Sequence, residues 1–307
     1  MNTEPAYNVP FAQGKTKQLF MTPEPDVIRV RTLDNLSAGD GARQSRLSVA
    51  ANKNEQNDAV MSTLGRHGIP VAHIKKINET DSLQKKLTML GVEFVVRGVP
   101  YGSFLKRNPE YVGKPMTEFD RALFEMFHKK TAVETGACDY ATMMPEDEAR
   151  KLYLKDGKWD PRAHCDPYIK PMEDLWGDAW WAIYDQKKPI ITENRLACID
   201  AEINTLDRKN IEGMAVESFD VLKRELGKLE INGKPLYLVD MKMEFGLDEN
   251  GEIILGDVID NDSWRILVDG EHIDKQLYRD GKSDEAVLDA YATVTDVLRG
   301  LPGREKE

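Results

Sequence analysis

Residues 238–265, LVDMKMEFGLDENGEIILGDVIDNDSWR, decide how the chain is read. Val239, Met241, Met243 and Phe245 alternate with Asp240, Lys242 and Glu244. A period of two marks a half-buried strand, its apolar set turned to a core. Asn250-Gly251 predicts a type I′ turn, because both residues tolerate φ > 0. Residues 252–259, rich in Ile, Leu and Val, supply the returning strand. A two-residue loop places Glu244 directly opposite Asp257, whereas a loop longer by one residue breaks that pairing. Like charges across a ladder repel, with Cβ atoms about 5 Å apart. Two readings stay open: a solvated acidic face, or ligands for a hard cation. Mg²⁺ takes one or two carboxylates and fills its shell with water and phosphate oxygens. Lys242 and the polar run Asp260-Asn261-Asp262-Ser263-Trp264-Arg265 favour the second.

A chain of 307 residues suits one large or two modest domains. Its net charge of −11 argues against broad nucleic-acid binding, which needs a basic surface. No run approaches the ~20 apolar residues of a membrane span, and the polar start MNTEPAYNVP lacks a signal-peptide pattern. Cys138, Cys165 and Cys198 have no metal spacing, so zinc is disfavoured and a reduced, cytoplasmic protein is expected. A homo-oligomer is compatible with the sequence, which does not fix the oligomeric state.

Gly14-Lys15-Thr16 and Gly281-Lys282-Ser283 resemble the end of a P-loop. That motif needs a glycine five residues before its Gly-Lys, and Val9 and Gln276 stand there. Lys15 and Lys17 remain as two cations on one face of an expected strand, either surface lysines or phosphate contacts. A second short strand, 27–31, follows a Pro-rich turn. Residues 37–43, SAGDGAR, form a glycine-punctuated loop with one acid and one base. A helix is expected from there to about Leu64, stopped by Gly65 or Gly68. Its middle, 52–58, is unusually polar and is either solvated or lining a site.

Strands are expected at 71–77, 82–90 and 92–96. The last leads to Arg97, Ser103, Lys106 and Arg107 around two glycines, a fair anion site given the planar fork of arginine. Residues 108–191 are the least legible third and hold four of the five tryptophans. Trp176, Trp180 and Trp181 have helical spacing and read as packing residues. Thr192 is expected to cap a long helix with Leu196, Ile199, Ile203 and Leu206 on one face, interrupted at Gly213 and closed by Gly227. Val287, Tyr291, Val294 and Leu298 stripe a last helix that begins near Ser283 and ends at Gly300.

Five segments in order, GKTKQLF, SAGDGAR, VEFVVRG…GSFLKR, LVDMKMEFG and GDVIDNDSWR, together resemble the SAICAR synthetase family. The resemblance implies an α+β fold with a smaller N-terminal antiparallel sheet domain and a larger C-terminal α+β domain, ATP lying in the cleft between them. The expected division is 1–108 and 109–307, with an enlarged Trp-rich segment at about 111–191. It also implies an ATP-dependent ligase that joins the carboxylate of a carboxyaminoimidazole ribotide to the amine of L-aspartate, through activation of the acyl-phosphate type. ATP and Mg²⁺ are the implied cofactors, and the partners are these small molecules rather than nucleic acid or membrane.

By position, the resemblance gives Lys15 and Lys17 to the ATP phosphates and the segment from Lys86 to Met89 to the adenine. Glu244 and Asp257 would hold Mg²⁺. Arg97 and Ser103 would take the phosphate end of the ribotide, with Arg265 nearby, and Asp240 and Lys242 would face the reacting groups. Asp40 and Arg43 fall in the substrate loop, while Lys155 and Asp166 fall in segments resembling the family's KDD and HDP runs. Departures occur at Gly98-Val99-Pro100-Tyr101, Gly157 and Cys165. Alternatives are a ligase of the same fold acting on another acid or amine, and a phosphotransferase built from the same acids and lysines. Retention of Lys15, Lys17, Glu244 and Asp257 argues against a silent nucleotide binder.

Overall fold

Contacts divide the chain into two compact units in the computed structural model, which describes residues 7–38, 43–129, 166–173 and 179–301. One unit combines Met1–Thr88 with Ser218–Glu307, and the other is Met89–Glu217. The first is discontinuous, so this partition differs in kind from a single cut at residue 108.

The discontinuous unit begins with β1 (Ala12–Gln13), β2 (Lys17–Met21), β3 (Val27–Thr32), β4 (Asn35–Ala38) and β5 (Arg43–Arg46). It continues with α1 (Ala50–Arg66), β6 (His73–Lys76) and β7 (Asp81–Lys85). The other unit holds β8 (Thr88–Arg97), α2 (Ser103–Arg107), β9 (Leu123–His128), β10 (Tyr168–Glu173), β11 (Ala179–Tyr184) and β12 (Arg195–Asp200). α3 (Thr205–Leu226) contains the boundary. The chain then forms β13 (Glu230–Ile231), β14 (Lys234–Leu247), β15 (Ile253–Gly256), β16 (Trp264–Val268) and β17 (Glu271–His272). Two helices close the described chain, α4 (Gln276–Arg279) and α5 (Asp284–Leu298).

In the discontinuous unit, β1-β2-β3-β7-β6 form an antiparallel five-stranded sheet and β4 pairs with β5. β14 is the long strand of a further antiparallel array, pairing with β13, β15 and β16, and β16 pairs with β17. Leu36, Leu47, Val49, Tyr278, Val287 and Tyr291 form a common core. α5 behaves as its stripe dictates: Val287, Tyr291, Val294 and Leu298 are buried, and Ser283 Oγ caps it by accepting Ala286 N–H at 3.2 Å. Burying each such aliphatic side chain contributes about 1.5–3 kcal/mol. In the other unit, β8 to β12 pair successively and antiparallel. Phe94, Val96, Phe127, Ile169, Trp181 and Ile183 are buried there.

Five expectations change. The hairpin pairs Glu244 with Gly256 and Leu247 with Ile253, so Asp257 is not opposite Glu244. Its loop has three residues, 249–251, because Asp248 stays in the ladder: its N–H donates to Glu252 O at 3.1 Å, and its Oδ1 accepts Asn250 N–H and Glu252 N–H. Gly251, at φ +78°, closes that loop in the left-handed region.

The helix expected from Thr192 begins only at Thr205. Residues 195–200 instead pair with β11, whose ladder offers partners that an isolated amphipathic segment lacks. Gly213 lies inside α3 without interrupting it. Trp180 and Trp181 are neighbours on β11 rather than on a helix, and Trp176 lies outside the described residues. Lys15 stands in the turn before β2, so it does not share a strand face with Lys17. Among the described residues, no helix is long and apolar enough to cross a membrane.

Candidate functional site

Along β14, Asp240, Lys242 and Glu244 share one face, as alternation requires, but that face is not solvated. Asp240 and Glu244 are each only 4 % exposed. Buried carboxylates need charged or hydrogen-bonding partners, and both have them. Arg265 NH1 donates to Asp240 Oδ2 at 2.6 Å, and the two residues sit directly opposite each other in the β14–β16 ladder. A bulge at Val239, between the pairs Leu238–Ile266 and Asp240–Arg265, sets that register. Lys242 Nζ donates to Glu244 Oε1 at 3.0 Å.

One residue past β15, Asp257 adopts φ +54°, an uncommon conformation that Asp tolerates better than most residues. Its carboxylate forms an ion pair with Lys17, the first residue of β2. Three acid–cation pairs therefore line this part of the discontinuous unit: Asp240–Arg265, Glu244–Lys242 and Asp257–Lys17.

Beneath the pairs runs the polar middle of α1. Lys53, Asn54, Gln56 and Asn57 are buried, which resolves the choice between a solvated and an inward-facing run. Asn57 Oδ1 accepts Ile259 N–H at 3.0 Å, and Gln56 Oε1 accepts Asn261 N–H at 2.9 Å. Gln56 Nε2 also donates to Tyr291 O and Thr295 Oγ1, both at 3.0 Å. Lys53 Nζ lies 3.0 Å from Asp262 Oδ2, and Lys275 Nζ lies 3.4 Å from the same oxygen. Tyr291 OH donates to Asp262 Oδ1 at 2.5 Å.

Electrostatics in this cluster follow from burial and pairing. Burial pushes the Asp260 carboxyl up, and the negative charge of Asp262 adds to that. For Asp262 burial acts in the same direction, yet Lys53, Lys275 and the Tyr291 hydroxyl outweigh it and hold the carboxyl well below the usual range. Burial lowers Lys275, whereas for Lys53 the burial cost is overcome by Asp262 and Asp260, and its ammonium is held above its ordinary value.

A second polar cluster occupies the unit of β8 to β12. Arg97 ends β8 and is buried, its Nε donating to Glu125 Oε2 at 2.6 Å and its NH2 to Ser103 Oγ at 3.2 Å. Arg107 donates to the other oxygen of Glu125, and its guanidinium lies over the rings of Tyr168, at 4.8 Å, and Phe127, at 5.0 Å. Burial, reinforced by Glu125, pushes the Tyr168 hydroxyl up to about 12. Arg97 and Ser103 are thus brought together as expected, with Glu125 already between the two guanidinium groups.

Other expected residues are dispersed. Lys15 is exposed, Lys86 is exposed in the turn after β7, and Met89 is half-buried on β8. Arg43 opens β5 with its backbone paired to Ala38. Asp166 is half-buried at φ +35° just before β10. Asp40 and Lys155 lie outside the described residues. Sequence reasoning missed Glu125, Lys275 and the individual roles of Lys53, Gln56 and Asn57. Their signals were a lone acid in an aromatic strand and polar positions spaced i, i+3, i+4 on a helix.

Fold and site together define an α+β protein of antiparallel sheets, with paired acids and cations concentrated on one long strand and the loop beyond its hairpin. The SAICAR synthetase family model matches residues 10–150 and 185–295. This chain belongs to the SAICAR synthetase family. It is 30 % identical over 300 residues to the phosphoribosylaminoimidazole-succinocarboxamide synthase of Chloroflexus aggregans, covering 95 % of each chain. It is 32 % identical over 298 residues to a probable multifunctional protein ADE2 of Caenorhabditis elegans, matching 93 % of this chain but 57 % of that longer protein.

Solved structures share the fold. A phosphoribosylaminoimidazole-succinocarboxamide synthase from Ehrlichia chaffeensis superposes with a TM-score of 0.66 at 19 % identity, over 96 % of this chain and 100 % of the other. A SAICAR synthetase in complex with ADP gives 0.64 at 23 %, over 96 % and 98 %.

Proposed function

We propose that the protein joins a carboxylate of an imidazole ribotide to the amine of L-aspartate at the expense of ATP, forming the succinocarboxamide in purine biosynthesis. The observation that carries this reading is the row of paired charges, Asp240–Arg265, Glu244–Lys242 and Asp257–Lys17, in a chain whose family membership is established. A carboxylate resists attack by an amine until one of its oxygens becomes a leaving group. Attack of a carboxylate oxygen on the γ-phosphorus of ATP releases ADP and yields an acyl phosphate. The amine then attacks the acyl carbon, phosphate leaves with the C–O electron pair, and the amine gives up a proton.

In this reading Lys17 and Lys15 would supply cations to the ATP phosphates, and Arg265 and Lys242 would orient the carboxylate partners. Asp240, held by Arg265, would face the reacting groups. Glu244 and Asp257 fit a Mg²⁺ ion only if phosphate oxygens complete its shell. Among the described residues no group of three or more His, Cys, Asp or Glu side chains could hold a metal without them. Bound there, Mg²⁺ would neutralise charge developing on the transferring phosphoryl group. ADP in the related solved structure supports the nucleotide assignment.

Purified protein incubated with ATP, Mg²⁺, carboxyaminoimidazole ribotide and aspartate should release ADP and the succinocarboxamide in equal amounts, read by coupled assay and mass spectrometry. Absence of product with that pair would end the proposal. A second reading, a ligase of this fold acting on another acid, is favoured by Gly98-Val99-Pro100-Tyr101 and by the Glu125 carboxylate on Arg97. ADP release dependent on a different acid would establish it instead.

A further inference from the structure

The loop between β15 and β16 delivers two of the charged groups named above. Asp257 stands at its start and Arg265 just past its end. Between them lie a buried acid, Asp260, and a partly buried one, Asp262, separated by a single residue, and Asp262 N–H donates to Asp260 Oδ1 at 2.7 Å. Two acids this close, away from bulk water, repel unless cations hold them.

One face of α1 answers at three points along the loop. Asn57 takes Ile259 N–H, Gln56 takes Asn261 N–H, and Lys53 reaches Asp262. Of the two lysines on Asp262 Oδ2, Lys53 is the nearer, at 3.0 Å against 3.4 Å for Lys275, and its side chain is only 2 % exposed. Its ammonium also lies 3.5 Å from Asn35 O, at the start of β4. The cation therefore ties α1, the strand β4 and the loop to one point.

We propose that Lys53 is a positioning residue. Through Asp262 it fixes the loop of residues 257–263, and so sets the placement of Asp257 and of Arg265 against Asp240. This rests on the functional reading only for its effect on turnover; the structural effect is independent of it. The ion pair acts as a tether, because three α1 side chains pull the loop from one side while its ends are held by Lys17 and by the Asp240–Arg265 pair. With the tether cut, the Gln56 and Asn57 bonds still hold the loop's first half, while Asp262 loses its tie to α1 and is held by Tyr291 and Lys275 instead.

The test is Lys53→Met in the full chain, followed by hydrogen exchange, thermal unfolding and steady-state kinetics well below the melting temperature. Amides of residues 260–265 should exchange about tenfold faster or more, with α5 and β2 unchanged. kcat should fall roughly 10- to 100-fold, with KM for ATP within about threefold, as expected when groups are misplaced for the chemical step rather than for binding.

Unchanged exchange in that segment with kcat within about twofold of the parent would overturn the proposal. So would a uniform rise in exchange across the unit with kcat unchanged, which marks a purely structural cation. Should Lys53→Met fail to fold, the double variant Lys53→Met/Asp262→Asn removes both charges of the pair together, with Lys275 left facing the remaining acid, Asp260. A tether predicts that its loop still exchanges fast and its kcat stays low, whereas full recovery of both shows charge compensation alone and overturns the inference. If the parent protein makes no amide bond, the functional reading fails while the exchange arm still decides this one.

Discussion

Asp240 and Glu244 show how strongly a buried carboxylate constrains its surroundings. Each is 4 % exposed, and each has a cation within 3.0 Å. Removing one partner of such a pair leaves an uncompensated charge, which is usually worse than replacing both. Arg265→Met should therefore destabilise the protein by about 3 kcal/mol, and Arg265→Met/Asp240→Leu by less, compared by denaturant unfolding. Both should lose turnover in the ligase assay.

Asp81 offers a cleaner titration. Burial pushes its carboxyl up, but bonds from Arg31 and Arg29 outweigh that and bring it down to about 2, from 3.8 when unpaired. A lowered folded-state value means the pair's stabilisation is complete above about pH 4 and is lost as pH falls toward 2. The shift corresponds to about 2 kcal/mol. Chemical unfolding of the parent and of Asp81→Asn at pH 6 and at pH 2.5 should show the gap between them closing at the lower pH.

For the elements, β14 and its hairpin illustrate how one residue of loop length redirects a site. Period-two alternation from Val239 onward was legible, and so was the turn, but the loop length was not. Asp248 satisfies three backbone groups at the neck of the loop, through its own N–H and its Oδ1. That holds the three-residue form, which shifts Asp257 past the ladder and toward Lys17. Gly251→Ala places no atom in conflict, since a Cβ there meets open space, but φ +78° strains any L side chain. A loss of about 1 kcal/mol is expected by thermal melting, with activity kept.

α1 makes the opposite point. Its polar middle supplies acceptors and donors to a loop and to α5, so Gln56→Leu should cost about 2 kcal/mol by stranding Asn261 N–H in the interior. A change of less than about 0.5 kcal/mol in denaturant unfolding would contradict that role.

At the scale of the whole molecule, the discontinuous unit depends on residues far apart in the chain. Gln56 and Tyr291 are bonded although they are 235 positions apart, and Leu36, Leu47 and Val49 share a core with Tyr278, Val287 and Tyr291. A chain ended at Glu217 retains β1 to β7 and α1 but lacks every partner that α1's polar face uses after residue 257. Such a truncation should show no protected α1 amides in hydrogen exchange, whereas the full chain protects them strongly.

The sequence by itself determined the antiparallel strands with clear alternation, the capped and striped α5, the end of α1 near Gly65 and Gly68, and the residue types of the site. These follow from periodicity and turn chemistry, which act over a few residues. Five ordered motifs also carried the family. Only the tertiary structure decided the hairpin register, the strand at 195–200, the burial of Lys53, Gln56 and Asn57, and the closing of Glu125 on Arg97 and Arg107. Each of these depends on a partner distant in sequence: a neighbouring ladder, a loop with unpaired N–H groups, or an opposite charge. Local pattern names the donor or acceptor, and folding chooses its mate, because a buried polar group is stable only where another one meets it.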